Sequence, residues 1–415
     1  MGANARLEID QSATSVESIA ARLGQGLEYA APAHATDPRL LTKRSSFAPS
    51  TKPQLLAFLL PQFHRIPEND QWWGEGFTEW TNVRKTRPRF RGHRQPRVPL
   101  GGRYYDLSDP GTQDWQAELA KAHGLGGFCY YHYWFAGRRL LERPLESMLQ
   151  RRAPHFPFCV AWANEPWTRA WDGGDRHVLM PQSYGGKSDW EAHFQYLEKA
   201  FQDPRYIRVD GCPLVLIYRS DSIDACDEML DCWRNLAVKS GFPGLHVVSM
   251  LTVFGRDERS HLFDAYAEFE PFYTHAHLPA GARILERLVN GASRLCWKYL
   301  GWGPYAPRSR DYRSTWHEIA TRPLAPGHYP GAFVDWDNSP RRRLDASLVM
   351  RNVDVATFEA GFSSLYEKAS RAGTRFIFIN AWNEWAEGTY LEPDEDLGTA
   401  YLDAIKQVVG RCGGS

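Results

Sequence analysis

Eight short apolar runs, spaced by stretches of helical periodicity, set the narrowest limit on what this 415-residue chain can fold into. They are Leu55–Leu60, Gly126–Trp134, Phe158–Trp167, Pro213–Tyr218, His246–Leu251, Ala265–Phe272, Gly331–Asn338 and Arg375–Asn380. Phe376 to Ile379 shows no polar alternation, the pattern of a strand covered on both faces in a parallel sheet. Helices are predicted near Trp115–His123, Asp189–Phe201, Ser222–Ser240 and Val355–Ala372, with a last one over Leu397–Val409. Strands that alternate with helices pair in parallel. Eight such units predict an α/β fold, a (β/α)8 TIM barrel with elaborated loops at its C-terminal face. An open, doubly wound sheet is the alternative, because the sixth run is weakly marked.

A barrel of this kind carries its chemistry at the C-terminal ends of the strands. Here those ends are crowded. The first run leads to His64, and the second ends in His132, Tyr133 and Trp134. The third carries Trp162, Asn164, Glu165 and Trp167, with Arg169, Trp171 and Asp172 beyond. The seventh ends in Asp335, Trp336 and Asp337, and the eighth in Asn380, Trp382, Asn383, Glu384, Trp385 and Glu387. A long loop, Pro67 to Val83, adds Trp72, Trp73, Glu79 and Trp80; loops of that length are usually functional. The chain holds 16 Trp, 19 Tyr and 21 Phe, and their place beside Asn, His and Glu favours a stacking ligand. Indole faces suit the apolar faces of sugar rings, so these residues are candidate saccharide contacts.

Glu384 and Glu387 are the candidate catalytic pair. Glycoside cleavage needs one carboxylic acid to protonate the leaving oxygen and a second carboxylate to act on the sugar. Two carboxylates close together also push each other's pKa values apart. A Glu pair three apart is common on solvated helices; the buried strand before this one, and Trp382 and Trp385 around it, argue for a cleft. Asn164-Glu165-Pro166 is the rival, since it resembles the acid/base segment of the large clan of retaining β-glycosidases. In that clan the two carboxylates follow strands four and seven, whereas here the Glu segments follow the third and eighth runs. Glu165 is therefore read as a hydroxyl contact, or as a group that orients Trp167 and Arg169.

Lys+Arg and Asp+Glu both total 49, so no net field favours nucleic acid. The seven scattered cysteines form neither CxxC nor a Cys/His set, and read as reduced, mostly buried thiols. No Gly-rich phosphate loop follows the first strand, and Asp335-Trp336-Asp337 is only a weak match to a metal-binding pair; neither metal nor cofactor is expected. No signal-peptide core and no run approaching about 18 apolar residues is present, which predicts a cytoplasmic protein. Residues 1–52 read as an appendage, partly disordered, and 53–410 as the catalytic domain. Within it, residues 276–330 break the rhythm. Ile284, Leu285, Leu288, Val289, Ala292, Leu295, Cys296 and Tyr299 form a helical apolar stripe, with Arg287, Arg294 and Lys298 on or near the other side. The stripe is expected to pack on the barrel; a peripheral membrane contact through 281–300 is the alternative.

Four longer segments carry a resemblance: FHRIPENDQWWGEGFTEWTNV (63–83), QPRVPLGGRYYDLSD (95–109), AWANEPWTRAWDG (161–173) and WNEWAEGTYLEP (382–393). They resemble the WbsX-like family, also described as glycoside hydrolase family 99-like and found in bacterial polysaccharide loci. The likeness runs from about Leu55 to Gly410. It implies a carbohydrate-active enzyme, foremost a retaining endo-glycosidase or transglycosylase acting on a surface polysaccharide of O-antigen or capsule type. The last segment is similar to that of family 99 itself, the endo-α-mannosidases, in which its two Glu are catalytic. That similarity implies that Glu384 deprotonates the substrate 2-hydroxyl for attack on the anomeric carbon. Glu387 then protonates the leaving oxygen and later activates water, giving retention through a 1,2-anhydro sugar. The first segment does not match family 99 proper, so mannose specificity is not implied, and Pro166 stands where the WbsX-like pattern has Asn. The other readings are a glycosyltransferase of lipopolysaccharide or capsule biosynthesis, and a carbohydrate-binding protein without catalysis.

Overall fold

The computed structural model describes residues 52–169, 174–252, 257 and 259–412. Expectations that fall on residues 1–51, on Trp171 and on Asp172 lie outside the described residues. The eight expected strands are β1 (Gln54–Leu59), β2 (Gly127–Phe135), β3 (Phe158–Trp162), β4 (Cys212–Ile217), β5 (His246–Leu251), β6 (Ala265–Glu268), β7 (His328–Tyr329 and Gly331–Phe333) and β8 (Phe376–Asn380). All neighbouring pairs are parallel, and β1 lies between β8 and β2.

The split strand β7 decides between barrel and open sheet. His328 and Tyr329 pair with Tyr266 and Ala267 of β6, while Gly331–Phe333 pair with Phe378–Asn380 of β8. One strand thus joins both edges, and the sheet closes into a ring. Pro330 sits where the partner changes, a position at which a missing N–H interrupts least, and its carbonyl still accepts from Phe378 N at 3.0 Å. Gly331 is required by closeness: a Cβ there would lie 2.0 Å from the carbonyl oxygen of Glu268.

Strand residues such as Leu56, Val160, Leu216, Val248 and Ile377 are wholly buried, as a barrel with a helical outer layer demands. That layer includes helices Pro110–Ala122, Lys187–Phe201, Cys226–Lys239, Val355–Arg371 and Ala400–Arg411. Asp354 caps the fourth of these by accepting from Thr357 N, and Phe358, Phe362, Leu365, Tyr366 and Ala369 bury its inner face at helical spacing. Each Phe or Leu so buried contributes about 1.5–3 kcal/mol. All seven cysteines are free thiols.

Two expectations need correcting. The Pro67–Val83 loop is largely helical, with helices Pro67–Trp73 and Glu79–Lys85. Pro67 starts the first, and a Thr78–Thr81 capping box starts the second, signals that the density of Trp and Gly conceals. The helix of the β6–β7 insert, Ala280–Leu300, does form, but it turns its apolar stripe away from the barrel: Leu285, Leu288, Leu295 and Tyr299 are exposed. Among the described residues no helix is long and apolar enough to cross a membrane.

Candidate active site

The C-terminal end of β8 runs through Asn380 into a short hairpin, Asn383–Glu384 against Thr389–Tyr390, with Trp385–Glu387 as its turn. The hairpin is fixed from within. Asn383 reaches β1, its Oδ1 accepting from Leu60 N at 2.7 Å and its Nδ2 donating to Leu60 O at 3.0 Å. Beneath it lies buried Glu392, which accepts from Trp385 Nε1 at 2.7 Å, Gln116 Nε2 at 2.7 Å and Tyr105 OH at 2.9 Å. Burial pushes the Glu392 carboxyl up to about 7 against these three donors. Gly388 closes the turn at φ +69°, and a Cβ there would stand 2.8 Å from Asp337 N. That close approach lets Asp337 N donate to Glu387 O at 2.7 Å and ties the hairpin to the segment after β7.

On this frame Glu384 and Glu387 point to one cation. Arg341 Nη2 donates to Glu384 Oε2 at 3.0 Å and Nη1 to Glu387 Oε1 at 2.8 Å. The same Nη2 donates to Glu79 Oε1 at 2.7 Å, which also accepts from Ala386 N at 3.1 Å. Three carboxylates thus converge on one guanidinium. Burial comes first in raising the Glu384 carboxyl to about 8, with repulsion from Glu387 and Glu79 added and Arg341 opposing it. Glu79 is raised for the same first reason. Arg341 itself is held by the segment after β7: Arg89 donates to the carbonyls of Ser339 and Arg342, both at 2.9 Å.

Around the acids stands an aromatic wall. Tyr133 meets Trp167 edge-on at 5.2 Å, Trp167 meets Trp72 at 5.9 Å, and Arg169 lies over Trp73 at 5.5 Å. Burial raises the Tyr133 hydroxyl, and the charges of Glu384 and Glu387 add to it. Glu165 pairs with Arg219 at 3.2 Å, and burial raises its carboxyl. The candidate site therefore gathers Glu384, Glu387, Glu79, Tyr133, Trp72, Trp73, Trp167, Arg169 and Glu165 from the sequence-predicted set.

Other residues of that set are engaged elsewhere. Trp382 and Trp385 are wholly buried, and Trp385 stacks on Tyr390 at 3.8 Å, so neither offers a face to a sugar. Trp80 is buried against Trp385 with its Nε1 on Tyr105 O, and Trp162 and Trp336 are also buried. Asn164 binds both backbone groups of Arg219, Asn380 donates to Glu270 O, and His64 bonds Pro61 O. His132 faces His193, Nε2 to Nε2 at 2.8 Å, with Trp134 stacked on His193 at 4.5 Å; burial holds His132 neutral, near 3. Asp335 accepts from Arg97 at 2.7 Å, and Asp337 binds His93 and Gln95 at 2.9 and 2.8 Å. Burial pushes Asp337 up, but His93 and Arg97 outweigh it and hold the carboxyl at about 2. Both aspartates line a separate cavity of about 230 Å³, together with Arg91, Arg94, Arg97 and Arg351.

Sequence reasoning missed Arg341 and Arg219, because nothing local separates them from the many arginines of a solvated surface. The EGTYLEP stretch did contain Glu392.

The profile of the family described as "Glycosyltransferase WbsX" matches residues 55–405. Two relatives called "Uncharacterized protein WxcX", from two strains of Xanthomonas campestris pv. campestris, are 38% identical over 372 residues, 89% of this chain and 51% of theirs. The chain thus spans about half the length of the curated relatives it matches. A solved "Glycoside hydrolase-like protein" has the same fold, with a TM-score of 0.52 at 12% identity over 87% of this chain and 95% of that one. The GH99 endo-α-mannosidase of Bacteroides thetaiotaomicron is similar with a TM-score of 0.46 at 14% identity, over 87% of this chain and 97% of that one. Matched from β1 into the last helix, this chain belongs to the WbsX family.

Proposed function

We propose that the chain is a carbohydrate-active enzyme that cleaves or transfers glycosyl groups of a bacterial surface polysaccharide with retention, using Glu384 and Glu387. The observation that carries this reading is the sharing of Arg341 by both carboxylates, at 3.0 and 2.8 Å, beside the Tyr133–Trp167–Trp72 wall.

The steps follow the resemblance of the WNEWAEGT segment. Glu384 takes the proton of the substrate 2-hydroxyl, O2 bonds to the anomeric carbon, and the bond to the leaving oxygen breaks as Glu387 protonates it. Water, or an acceptor hydroxyl, then attacks the anomeric carbon, losing its proton to Glu387, while the bond between O2 and the anomeric carbon breaks and O2 regains a proton from Glu384. Trp72, Trp73 and Trp167 would stack on sugar rings, and Arg169, Glu165 and Arg219 would bind hydroxyls. Arg341 would release the carboxylates as the sugar enters. A 2-fluoro glycoside tests the scheme. It lacks the 2-hydroxyl, so neither turnover nor labelling is expected; a sugar ester on the Glu384 peptide in mass spectrometry would make Glu384 an ordinary nucleophile.

The family's description favours a second reading, transfer from an activated donor onto the polysaccharide. Screening lipopolysaccharide and capsule fragments with and without nucleotide sugars separates the two, because only the transferase needs the donor.

A further inference from the structure

The helix Ala280–Leu300 is built inside out. Its inward side is polar: Glu286 pairs with Arg310, Asn290 Oδ1 accepts from Ser309 N at 2.9 Å, and Ser293 Oγ donates to the carbonyls of Tyr305 and Ala306 at 3.0 and 3.2 Å. Its outward side carries Ile284, Leu285, Leu288, Leu295 and Tyr299, with Trp302 just past the end. Leu288 is 66% exposed, Tyr299 71% and Trp302 62%. At about 100° per residue these helical side chains fall in one stripe about 100° wide. Arg283, Arg287, Arg294 and Lys298 fall together on the adjoining flank, and the only acid of the helix, Glu286, is on the inside.

We propose that this helix docks the protein on an anionic lipid surface. Lipid fits the three sectors as a soluble interior does not. An apolar stripe of this width enters the headgroup–acyl boundary, while a cationic flank lies over negative headgroups. The chain as a whole has no net charge, so the excess of four cations over one buried acid is local to this helix. Tyr299, Trp302 and Tyr305 gather at one end, the residue types that settle at a lipid–water boundary. Tyr305 also lines the cavity that holds Arg91, Arg94 and Arg351 beside Asp335 and Asp337, and the Arg351 guanidinium lies 5.6 Å from the Tyr305 ring. The insert leaves the C-terminal end of β6, the end of the barrel that bears Glu384 and Glu387.

Co-sedimentation of the full chain with phosphatidylcholine vesicles, with and without phosphatidylglycerol, tests the proposal. Binding is expected to the anionic vesicles, weakly to the neutral ones, and to fall with salt. Arg287→Gln with Arg294→Gln should weaken anionic binding about 30-fold, at about 1 kcal/mol per basic side chain. Leu288→Ser with Leu295→Ser should abolish binding to both vesicles at unchanged Tm, since both side chains already face water. No binding to anionic vesicles, or binding that neither double variant alters, would overturn the proposal. So would a dimer in light scattering that Leu288→Ser with Leu295→Ser dissociates, because a second copy would then cover the stripe.

Discussion

Replacing Arg341 by Met tests whether one guanidinium holds the three carboxylates together. The change removes the cation and keeps most of the side-chain volume. Removing one partner of a buried ion pair costs about 3–5 kcal/mol. Arg341 retains 16% exposure and Glu387 23%, so the lower end, about 3 kcal/mol, applies at a pH where the carboxylates are ionised. A chain of this size loses about 2 °C per kcal/mol, giving a fall in Tm of about 6 °C. The sign with pH is the sharper test. Glu384 has its folded value raised to about 8, chiefly by burial, against about 4.3 unfolded. Its contribution to stability is therefore intact below about pH 4.3 and lost as pH rises through 8. Without Arg341 nothing opposes burial and repulsion, so the loss deepens across that window. Thermal unfolding followed by circular dichroism should show a small deficit for Arg341→Met at pH 5 and the full deficit at pH 8.5. Equal deficits at both pH values, or none at 8.5, would refute the electrostatic argument.

Further outcomes follow from the same geometry. Glu387→Gln should cut turnover on substrates with poor leaving groups by about 10²–10⁴ and spare activated aryl glycosides in the first step; equal losses on both would remove Glu387 as the acid. If Glu384 is the base, kcat/KM should rise with pH toward a limb near 8, whereas a limb falling there would make Glu384 the proton donor. Asn383→Ala leaves Leu60 N and O buried without their partner and should cost about 2–4 kcal/mol in denaturant unfolding; a loss under 1 kcal/mol would mean that the end of β1 is held otherwise. A chelator should leave activity unchanged, since Asp335 and Asp337 are engaged by Arg97 and by His93 and Gln95; loss restored by a divalent cation would revive a metal-dependent transferase.

Periodicity and short-range chemistry made the strands legible. An apolar run such as Phe376–Ile379 can be buried on both faces only in a covered parallel sheet, and strands alternating with helices leave few other topologies. The collection of acids and aromatics at strand ends marked that face as the candidate site for the same reason: such residues are not placed at the end of a core strand without an opening. What the sequence could not rank was which aromatic turns outward. Trp382, Trp385 and Trp72 are chemically alike, but tertiary packing buries the first two, just before the hairpin and in its turn, and leaves Trp72 half-exposed on the wall. Arg341 becomes the partner of Glu79, Glu384 and Glu387 only because β7 and β8 are neighbours. The helix Ala280–Leu300 shows the same limit from the other side. Its amphipathic pattern fixed that it is a helix, but an apolar stripe says only that something must cover it, and tertiary packing gave the inward place to Glu286, Asn290 and Ser293. Local sequence determines which elements form, through burial and periodicity; which of their faces meet is set by contacts between residues far apart in the chain.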